Sequence, residues 1–566
     1  MHRFVKTEAW IFLALFAVAL GLRLIGLDYG YFHGDERVND AAKVLAGQLV
    51  PGQHFYPPFI NYLNAVALVA LFPVGLLSGW WEGAGDFRAA YFIDPTPFYL
   101  AARTMTAICG ALMAPLFFLI ARQFSLSRPL SAVAGGVAAL FPLAVFMSHI
   151  AKGDAAQATA VIATIGALVM RMQHDQSRRW DIILGVCVTL ALSFKHSAIF
   201  VLLPLGLGWI LLLSQQAGWR VALASFARAV GIALALWPVW NIGILLDFKN
   251  FLDYQKIQSV MSVQDDGWLA GLQMLWTRSL ELSFGMSLPM AVAAVVSPVL
   301  IWRAPALSHR GLLMMIWIAL TLGTLFTAAI TGARQPEHLW IANFSGYLLI
   351  SSIVLLTYAQ NTLDAMRWGT VVWIGAGLIT AGMGTAGVLG QATAMSNQDL
   401  LDRYIAQNHA ERRIVTATPL TLPQQKEAQA MEFQRIERLA EKYNTEAPDV
   451  APERIIQLNA VNSVFYVHMP VVMFGLEDVD EGDEDYEVKA HTWPLQNEEW
   501  QLDYWFSQGF DLFLVRNFEW FAYHSEPEIR QSFLQELALV CKNVRSFEAM
   551  KPLFLEREIR VYDCAE

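Results

Sequence analysis

The chain has 566 residues, of which 55% are hydrophobic and only 16% charged, whereas an ordinary soluble domain carries about a quarter charged residues. This composition excludes a disordered, a collagen-like and a nucleic-acid-binding protein, and four cysteines are too few for a disulfide scaffold. Residues 391–566 carry 16 basic and 31 acidic side chains, and residues 1–390 carry 23 and 18. We therefore expect a membrane-embedded body followed by an acidic, water-exposed domain.

Long apolar runs fill residues 1–390, and a helix needs about 20 such residues to cross a bilayer. The first run contains Arg23 and lacks a small-residue cleavage signal, so we interpret it as a retained span and not as a signal peptide. The sixth and seventh runs are short and meet at Ser193–Ser197. The twelve candidate spans are 9–27, 59–78, 98–121, 131–149, 155–171, 182–194, 198–213, 221–240, 286–302, 312–330, 340–359 and 369–390.

Lysine and arginine are concentrated in one set of connections, which predicts the cytoplasmic side. These residues are Arg3, Lys6, Arg122, Arg128, Arg171, Arg178, Arg179, Arg220, Arg303, Arg310 and Arg367. The remaining connections are acidic and aromatic, and we place them outside: 28–58, 79–97, 150–154, 241–285 and 331–339. We therefore expect a multi-pass protein of the inner (plasma) membrane, with a cytoplasmic N-terminus and an extracytoplasmic C-terminal domain.

The tail, residues 391–566, alternates helical and strand-like patterns and predicts a small soluble α/β domain. The expected elements are a helix through Gln424–Tyr443, strands at Ser463–Met469 and Leu512–Val515, a helix at Glu528–Val540 and a strand at Ile559–Tyr562. Cys541 and Cys564 can form a disulfide in an oxidising compartment, or Cys541 can be a buried helical residue; the sequence leaves this open.

Ionisable side chains next to membrane spans are candidate functional residues, because they are costly at that depth. Asp35 and Glu36 follow the first span. Asp35 can serve as a helix cap and Glu36 as a first-turn charge, or a carboxylate here can act as a general base on a hydroxyl group.

Further charged residues lie beside later predicted outer connections. Asp154 can cap the fifth span or belong to a site, and Lys195 with His196 can reach the interface or bind a phosphate. Arg334, after the tenth span, is either solvated or part of the same site. Arg103, inside the third span, is expected to pair with an acidic loop residue.

Several motifs resemble a known family. His-Gly-Asp-Glu ends at Glu36, Phe-Tyr-Pro-Pro-Phe-Ile-Asn-Tyr-Leu enters the second span, and Ser148 to Asp154, Leu192 to His196 and Arg334 follow. This order resembles the bacterial relatives of protein O-mannosyltransferases and aminoarabinose (lipid A) transferases. These are GT-C glycosyltransferases that use polyprenyl-phosphate sugars. The resemblance implies a polytopic α-helical membrane protein of GT-C type, with about twelve transmembrane helices and a small α/β extracytoplasmic domain.

The resemblance also implies a mechanism, in which a hydroxyl acceptor displaces the lipid phosphate from the sugar in one step. Asp35 is the expected general base, and Glu36 orients the acceptor or holds Asp35. Lys195 and Arg334 are expected to bind the phosphate with help from His196, while Asp154 orients Lys195 or binds the sugar. The resemblance implies no nucleotide cofactor.

The chemical partners implied are a polyprenyl-phosphate sugar donor, a glycan, lipid or protein hydroxyl acceptor, and the bilayer, with no nucleic acid. A divalent metal is possible but not predicted. The acidic run Glu477–Asp485 lacks the full register of a calcium-binding loop, and we interpret it as a solvated loop.

Two other functions use charged residues at an outer cleft. One is a transporter or flippase of lipid-linked saccharides, and the other is a ligase or phosphotransferase that moves a larger lipid-linked unit. The absence of an internal sequence repeat and the grouping of the charges at one face count against a transporter. The sequence identifies neither the sugar nor the acceptor.

Overall fold

The structure is a computed structural model of the chain. It describes residues 2–29, 36–52, 54–173, 178–262, 267–303, 309–332, 337–361, 364–418, 465–469, 471–478, 486–493, 497–518, 528–548 and 558–565, together with 307, 420, 422, 428, 430, 434 and 522. Contacts divide the chain into two compact units: 1–28, 32–73 and 97–393 form the first, and 29–31, 74–96 and 394–566 form the second.

Helices account for almost all of residues 2–392 that the structure describes. They are α1 His2–Leu24, α2 Val38–Leu45, α3 Phe59–Ser78, α4 Ala84–Ile93, α5 Thr96–Ala111, α6 Met113–Gln123, α7 Arg128–Ala139, α8 Pro142–Met147, α9 Asp154–Gln173, α10 Arg178–Phe194, α11 Ile199–Ala217, α12 Trp219–Trp240, α13 Ile242–Leu246, α14 Phe248–Ser262, α15 Gly267–Met286, α16 Leu288–Arg303, α17 Arg310–Thr331, α18 Ile341–Asn361 and α19 Asp364–Ala392.

Each of the twelve predicted spans coincides with helix. The third is divided at Leu112, and the fourth is divided before Pro142, which starts α8 because proline fits the first turn of a helix. Among the described residues, nine helical stretches are long and apolar enough to cross a membrane. α7, α10 and α16 are shorter, with 12, 17 and 16 residues. The prediction of a multi-pass helical membrane body is confirmed.

The helices of the first unit run between two ends. Near the start of α1, Glu8 forms ion pairs with Arg122 in the last turn of α6 and with Arg128, the first residue of α7. The backbone N–H of Ser127, in the connection between α6 and α7, donates a 2.9 Å hydrogen bond to the side chain of Gln360 at the end of α18. We call this the Glu8 end, and it carries two of the predicted cytoplasmic connections.

The opposite end, which we call the Glu36 end, collects the other connections. Arg103 of α5 donates to the carbonyl oxygen of Leu27, just after α1. A Cβ added to Gly26 would lie 2.5 Å from the carbonyl oxygen of Ala392, so α19 ends beside the end of α1. The chain therefore enters the first unit at the Glu8 end and finishes its last helix at the Glu36 end.

Twelve strictly alternating crossings would return the chain to its starting end, but the sequence analysis places the connections on both sides of the second span, 28–58 and 79–97, at the same face. α3 begins at the Glu36 end, where Phe59 packs against Phe194 with ring centroids 5.4 Å apart. The chain is at this end again in α5, at Arg103. The second predicted span therefore does not by itself carry the chain from one end to the other.

The second unit contains a mixed sheet and several helices. The strands are β1 Arg413–Thr416, β2 Phe465–His468, β3 Val471–Asp478, β4 Tyr486–Trp493, β5 Leu512–Arg516, β6 Lys542–Phe547 and β7 Ile559–Asp563. Besides α4, the helices are α20 Asn397–Asn408, α21 Leu502–Ser507 and α22 Glu528–Val540. Five strands pair in the order β2-β1-β5-β7-β6, and β3 pairs with β4 as a separate hairpin. The β2-β1-β5 pairs are parallel, and the β5-β7-β6 pairs are antiparallel.

The sheet buries both of its faces. Along β5, Phe513 and Val515 belong to one hydrophobic cluster, and Leu512 and Leu514 belong to a second. This follows from the two-residue period of a strand, since successive side chains point to opposite faces. A sheet covered on both sides needs nearly continuous apolar strands, and β5 has such a sequence.

Most predicted elements of the tail are present. β2, β5, α22 and β7 lie at the predicted strands and helix, which confirms the α/β domain. The predicted helix Gln424–Tyr443 falls almost wholly outside the described residues. Cys541 and Cys564 form a disulfide, which joins the residue after α22 to the residue after β7.

Candidate functional site

The site lies at the Glu36 end of the first unit. Two of the predicted site residues, Asp35 and Arg334, are outside the described residues. The other four, Glu36, Asp154, Lys195 and His196, are described, and so is the segment Glu337–Leu339 that follows Arg334. Their geometry is considered one contact at a time.

Glu36 is fully engaged by the surrounding protein. Its carboxylate receives two hydrogen bonds from Arg103, with Nε 2.7 Å from Oε1 and Nη2 2.8 Å from Oε2. Both side chains are almost completely buried. The prediction that Arg103 pairs with an acidic loop residue is confirmed. Such a two-pronged pair fixes the direction of the carboxylate as well as its charge.

The Glu36 carboxylate also links the connection after α1 to the turn before α9. Oε1 of Glu36 also accepts a 2.7 Å hydrogen bond from the backbone N–H of Ala151, in the turn before α9. Asp35 precedes Glu36 in sequence, and Asp154 follows Ala151 by three residues. The first connection after α1 is therefore held against the turn that carries Asp154.

Asp154 is the first residue of α9 and is buried. Its Oδ1 accepts a 2.5 Å hydrogen bond from Nζ of Lys195, and its Oδ2 lies 3.9 Å from Nζ of Lys152. Lys195 has an extended backbone between α10 and the short helix His196–Ala198. The expected contact between Asp154 and Lys195 is present, and the phosphate-binding role of Lys195 stays a prediction.

A close backbone approach holds these two segments together. Gly153 packs so tightly on the carbonyl oxygen of Phe194 that a Cβ at this position would clash with it. A glycine is required here because only a residue without a side chain permits such contact. Gln157 adds a 3.1 Å hydrogen bond from its Nε2 to Oγ of Ser197.

An aromatic ring lies beneath both lysines. Nζ of Lys152 is 5.4 Å and Nζ of Lys195 is 5.8 Å from the centroid of the Tyr56 ring. The face of an aromatic ring attracts cations, which stabilises ammonium groups in a buried position. Tyr56 belongs to the aromatic turn before α3, so a third connection joins the site.

His196 follows Lys195 in sequence, and its side chain packs against aromatic rings. Its imidazole packs against Trp237 and Phe251, with centroids 6.0 and 5.7 Å away. Its Nε2 is buried, and no described residue is within hydrogen-bonding distance of it. The nitrogen is therefore chemically available to a ligand that enters the site.

Sequence reasoning missed a second polar pair nearby. Nε2 of His54 lies 2.8 Å from Oδ2 of Asp247, and the His54 ring packs on Phe251, which also contacts His196. The two residues are 193 positions apart, and no motif linked them. The pair ties the turn before α3 to the segment between α13 and α14.

The segment after Arg334 also approaches the site. His338 lies close enough to Asp154 to act electrostatically on its carboxylate. Arg334 lies four residues before His338 in sequence. Five segments of the chain thus lie around Asp154 at one end of the helical unit: the connection after α1, the turn before α3, the turn before α9, the connection after α10 and the segment Glu337–Leu339. Within the part of the chain that the structure describes, no group of three or more His, Cys, Asp or Glu side chains is placed to hold a metal ion.

One protein family matches a segment of the chain that contains part of the site. The family of dolichyl-phosphate-mannose-protein mannosyltransferases matches residues 99–242, from α5 to the start of α13. No curated protein matches the chain in sequence. The family match confirms the resemblance over that segment, which contains Asp154, Lys195 and His196.

Several solved structures match the chain at low sequence identity. ArnT from Cupriavidus metallidurans bound to undecaprenyl phosphate matches with 15% identity, 98% of each chain covered and a TM-score of 0.48. The protein O-mannosyltransferase Pmt1-Pmt2 complex of S. cerevisiae, bound to the sugar donor, matches with 18% identity over 43% of this chain and 34% of that chain, at a TM-score of 0.34. The oligosaccharyltransferase AglB from Archaeoglobus fulgidus matches with 12% identity over 78% and 68% of the chains, at a TM-score of 0.44.

Proposed function

We propose that the chain is a membrane glycosyltransferase that moves a sugar from a polyprenyl-phosphate donor to a hydroxyl acceptor by single displacement. The observation that carries the proposal is the buried pair of Asp154 and Lys195, held beside Glu36 by the bond to Ala151. The matched family is named for transfer from a dolichyl-phosphate sugar, which supports a lipid phosphate as the group that the site receives.

Lys195 is the proposed binding partner of the phosphate. Negative charge grows on this phosphate as the sugar leaves, so a fixed cation stabilises the transition state more than the bound donor. Asp154 holds the Lys195 ammonium group in place through Oδ1. Arg334 is proposed as a second cation on the same phosphate, because the segment around His338 reaches Asp154. The buried Nε2 of His196 neither accepts nor donates a hydrogen bond among the described residues, which suits a neutral hydrogen bond to the sugar or phosphate.

Asp35 is the proposed general base, which removes the proton of the acceptor hydroxyl as its oxygen bonds to the sugar. Glu36 is a positioning residue in this proposal. Its two oxygens are already occupied by Arg103 and Ala151, so it serves to hold Asp35 against the turn that carries Asp154. Of the two roles that the resemblance implies for Glu36, the contacts favour this one.

Purified protein incubated with radiolabelled polyprenyl-phosphate sugar tests the proposal. We expect label on a hydroxyl acceptor, loss of turnover by about 10²–10⁴ in Asp35→Asn, and a raised donor requirement in Lys195→Ala. Lys43→Ala is a matched control, since Lys43 is half-exposed in the same connection and pairs with Asp40. Label that crosses a vesicle without chemical transfer would instead identify a flippase, and wild-type turnover in Asp35→Asn would exclude Asp35 as the base.

We propose that no divalent metal takes part. Lys195 and Arg334 supply the charge that a metal would otherwise bring to the phosphate. Transfer is expected to persist in EDTA, and activity that is lost in EDTA and restored by a divalent cation would contradict this.

We further propose that the Glu8 end faces the cytoplasm of a cell with an inner (plasma) membrane, and that the C-terminal domain is extracytoplasmic. Trp219, Trp302 and Trp368 are exposed, and each stands next to an arginine in or beside a predicted cytoplasmic connection. Tryptophan and arginine together are typical of a membrane interface on the cytoplasmic side. A reporter active only outside the cytoplasm, fused after residue 566, is expected to be active, and an inactive fusion would reverse the orientation.

A further inference from the structure

Two buried side chains beside the site carry polar atoms that no described residue uses. His54 is 1% exposed and Asn241 is fully buried. Neither Nδ1 of His54 nor Oδ1 of Asn241 has a hydrogen-bond partner in the part of the chain that the structure describes. Buried polar atoms are nearly always hydrogen-bonded, so each exception calls for an explanation. A polar ligand is such an explanation at the end of the unit that carries the site.

The neighbours of both side chains identify these atoms as hydrogen-bond acceptors. Nδ2 of Asn241 donates to the carbonyl oxygen of Trp237 at 2.9 Å and to Oγ of Ser193 at 2.8 Å. Because a carbonyl oxygen only accepts, the amide nitrogen points there and Oδ1 is the acceptor that is left. Nε2 of His54 lies 2.8 Å from Oδ2 of Asp247. A carboxylate also accepts, so Nε2 carries the proton and Nδ1 of the neutral ring is an acceptor.

Aromatic contacts connect both acceptors to His196. The rings of His54 and His196 pack on the same ring, Phe251, with centroids 6.0 and 5.7 Å away. The His196 ring also lies 6.0 Å from Trp237, whose carbonyl oxygen binds Asn241. The acceptors are therefore grouped around the residue that follows the proposed phosphate-binding lysine.

The short helix α13 holds the two acceptors in place. Asn241 immediately precedes this helix, and Asp247 immediately follows it. The backbone N–H of Gly243 donates a 3.0 Å hydrogen bond to the hydroxyl of Tyr62 in α3, and that hydroxyl donates to the carbonyl oxygen of Leu49 at 2.8 Å. The helix is thus bound to the segments on both sides of His54 in sequence. Groups that are already ordered cost less entropy when a ligand binds.

Acceptors at these positions select for hydroxyl groups and against phosphate. A phosphate oxygen is itself an acceptor and forms no hydrogen bond with Oδ1 of Asn241 or with Nδ1 of a neutral His54. A hydroxyl group donates to either atom. The rings of Trp237 and Phe251 are partly exposed and suit the apolar faces of a sugar ring, since binding sites combine apolar walls with a few placed polar groups.

We propose that His54 and Asn241 bind hydroxyl groups of the donor's sugar, with Nδ1 and Oδ1 as the accepting atoms. The inference rests on the proposed function and assigns the sugar-binding part of the site, beside the phosphate-binding part at Lys195. The ligand class is a sugar with free hydroxyl groups that donate hydrogen bonds to both acceptors. Asp247 is a positioning residue, because its carboxylate fixes which nitrogen of His54 carries the proton.

Binding to the full-length protein in detergent tests this assignment without any transfer reaction. The sugar probes are polyprenyl-phosphate mannose and polyprenyl-phosphate arabinose. The reference probe is the phosphate methyl ester of the same lipid, which carries the same single negative charge and no sugar. We expect wild type to bind at least one sugar probe more tightly than the methyl ester. Equal affinity for all three probes overturns the proposal.

Variants separate the acceptor atoms from the rest of each side chain. His54→Gln keeps an N–H that can donate to Asp247 but has no acceptor at the position of Nδ1. Loss of one neutral hydrogen bond should weaken binding of the tighter sugar probe about two- to tenfold, with less than about twofold change for the methyl ester. Asn241→Leu should show the same difference between the probes. His309→Gln should change neither, since His309 packs against Phe124 at the Glu8 end. Equal weakening of both probes by His54→Gln, or of neither, overturns the proposal.

Deoxyfluoro analogues of the tighter sugar probe give a measurement on wild type that does not depend on the folding of a variant. Fluorine replaces one hydroxyl group at a time and cannot donate a hydrogen bond. At least one analogue should bind wild type about two- to tenfold more weakly than its parent, and this difference should disappear in His54→Gln or Asn241→Leu. Analogues that all bind like the parent overturn the proposal.

The same measurements separate this proposal from the proposed function. If the sugar preference and its loss in His54→Gln are found but no sugar is transferred to any acceptor, the proposed function alone is wrong. If wild type binds none of the three lipid probes, both proposals fail.

Discussion

Replacing Glu36 by glutamine should destabilise the helical body strongly while leaving its shape intact. Glutamine keeps an acceptor for the N–H of Ala151 but removes the charge that balances Arg103. Both side chains of the pair are at most 4% exposed, and removing one partner of a buried ion pair typically costs about 3–5 kcal/mol. We therefore expect a loss of stability of about that size.

The matched control is Glu8→Gln. Glu8 pairs with Arg122, but these side chains are 36% and 30% exposed, and exposed pairs contribute about 0–1 kcal/mol. Thermal unfolding of both variants in the same detergent gives the comparison. The midpoint of Glu36→Gln should fall several times further than that of Glu8→Gln, and equal shifts would refute the buried-pair argument.

A double substitution separates charge from packing. Glu36→Met together with Arg103→Met replaces the pair by apolar side chains, which is often neutral or stabilising. We expect the double variant to recover most of the stability lost in Glu36→Gln. Because the contact to Ala151 is also lost, sugar transfer should stay low even though the protein is stable, and wild-type transfer would remove Glu36 from the site.

Three other outcomes are expected. Gly153→Ala should weaken polyprenyl-phosphate binding by displacing the turn before α9, measured by titration; unchanged binding would contradict the close approach described above. Reduction of the bond between Cys541 and Cys564, which are 23 positions apart, should cost about 3 kcal/mol in denaturant unfolding of the C-terminal domain, and free thiols in the oxidised protein would contradict the bond. Burial raises the pKa of Asp563, but the hydrogen bonds from Arg412 contribute to a larger lowering, so the pKa lies below its usual value. Its contribution to stability is therefore complete above about pH 3.9 and is lost as the pH falls through the folded pKa; hydrogen exchange of β7 at pH 3 and 6 should detect the change, and Asp563→Asn should remove it.

The sequence was sufficient for the helical body because the physical signal there is simple. In lipid, the backbone N–H and C=O groups of an apolar run of about 20 residues can form all their hydrogen bonds within the run only in a helix. Every predicted span accordingly coincides with helix. α3 shows the limit of this signal. Hydropathy identifies the helix at Phe59–Ser78, but it gives no information on the contact between Phe59 and Phe194. That contact shows at which end of the unit the helix begins.

In the C-terminal domain, the pattern identified the apolar strand β5 and missed the polar strand β6. β5 reads Leu-Phe-Leu-Val-Arg and was predicted, whereas β6, Lys542–Phe547, carries lysine, asparagine, arginine and serine. β6 is the edge strand of the sheet, and edge strands tolerate charged residues because one side of the strand is solvated. The partner strand, and not the sequence of β6, decides its conformation.

At the site, sequence order identified the candidates but few of their partners. The contact between Asp154 and Lys195 was one of the two roles that the family resemblance implied for Asp154, and it is present. Lys152 is a lysine like Lys195 and lies in the turn that leads to Asp154. Nothing in the sequence distinguishes it from a lysine that is exposed to solvent. The pair of His54 and Asp247 depends on the meeting of two distant connections, which only the fold specifies.

The length of α9 gives the site a remote dependence. Asp154 begins this helix, and Arg171 in its last turn is buried in a cluster with Asp181, which also binds Arg228. The 17 positions between Asp154 and Arg171 span about 26 Å at 1.5 Å per residue. A helix clamped so firmly at its far tip transmits small rigid shifts to its beginning. Random mutagenesis for loss of sugar transfer should thus recover substitutions in this arginine–aspartate cluster, although it lies about 26 Å along α9 from Asp154.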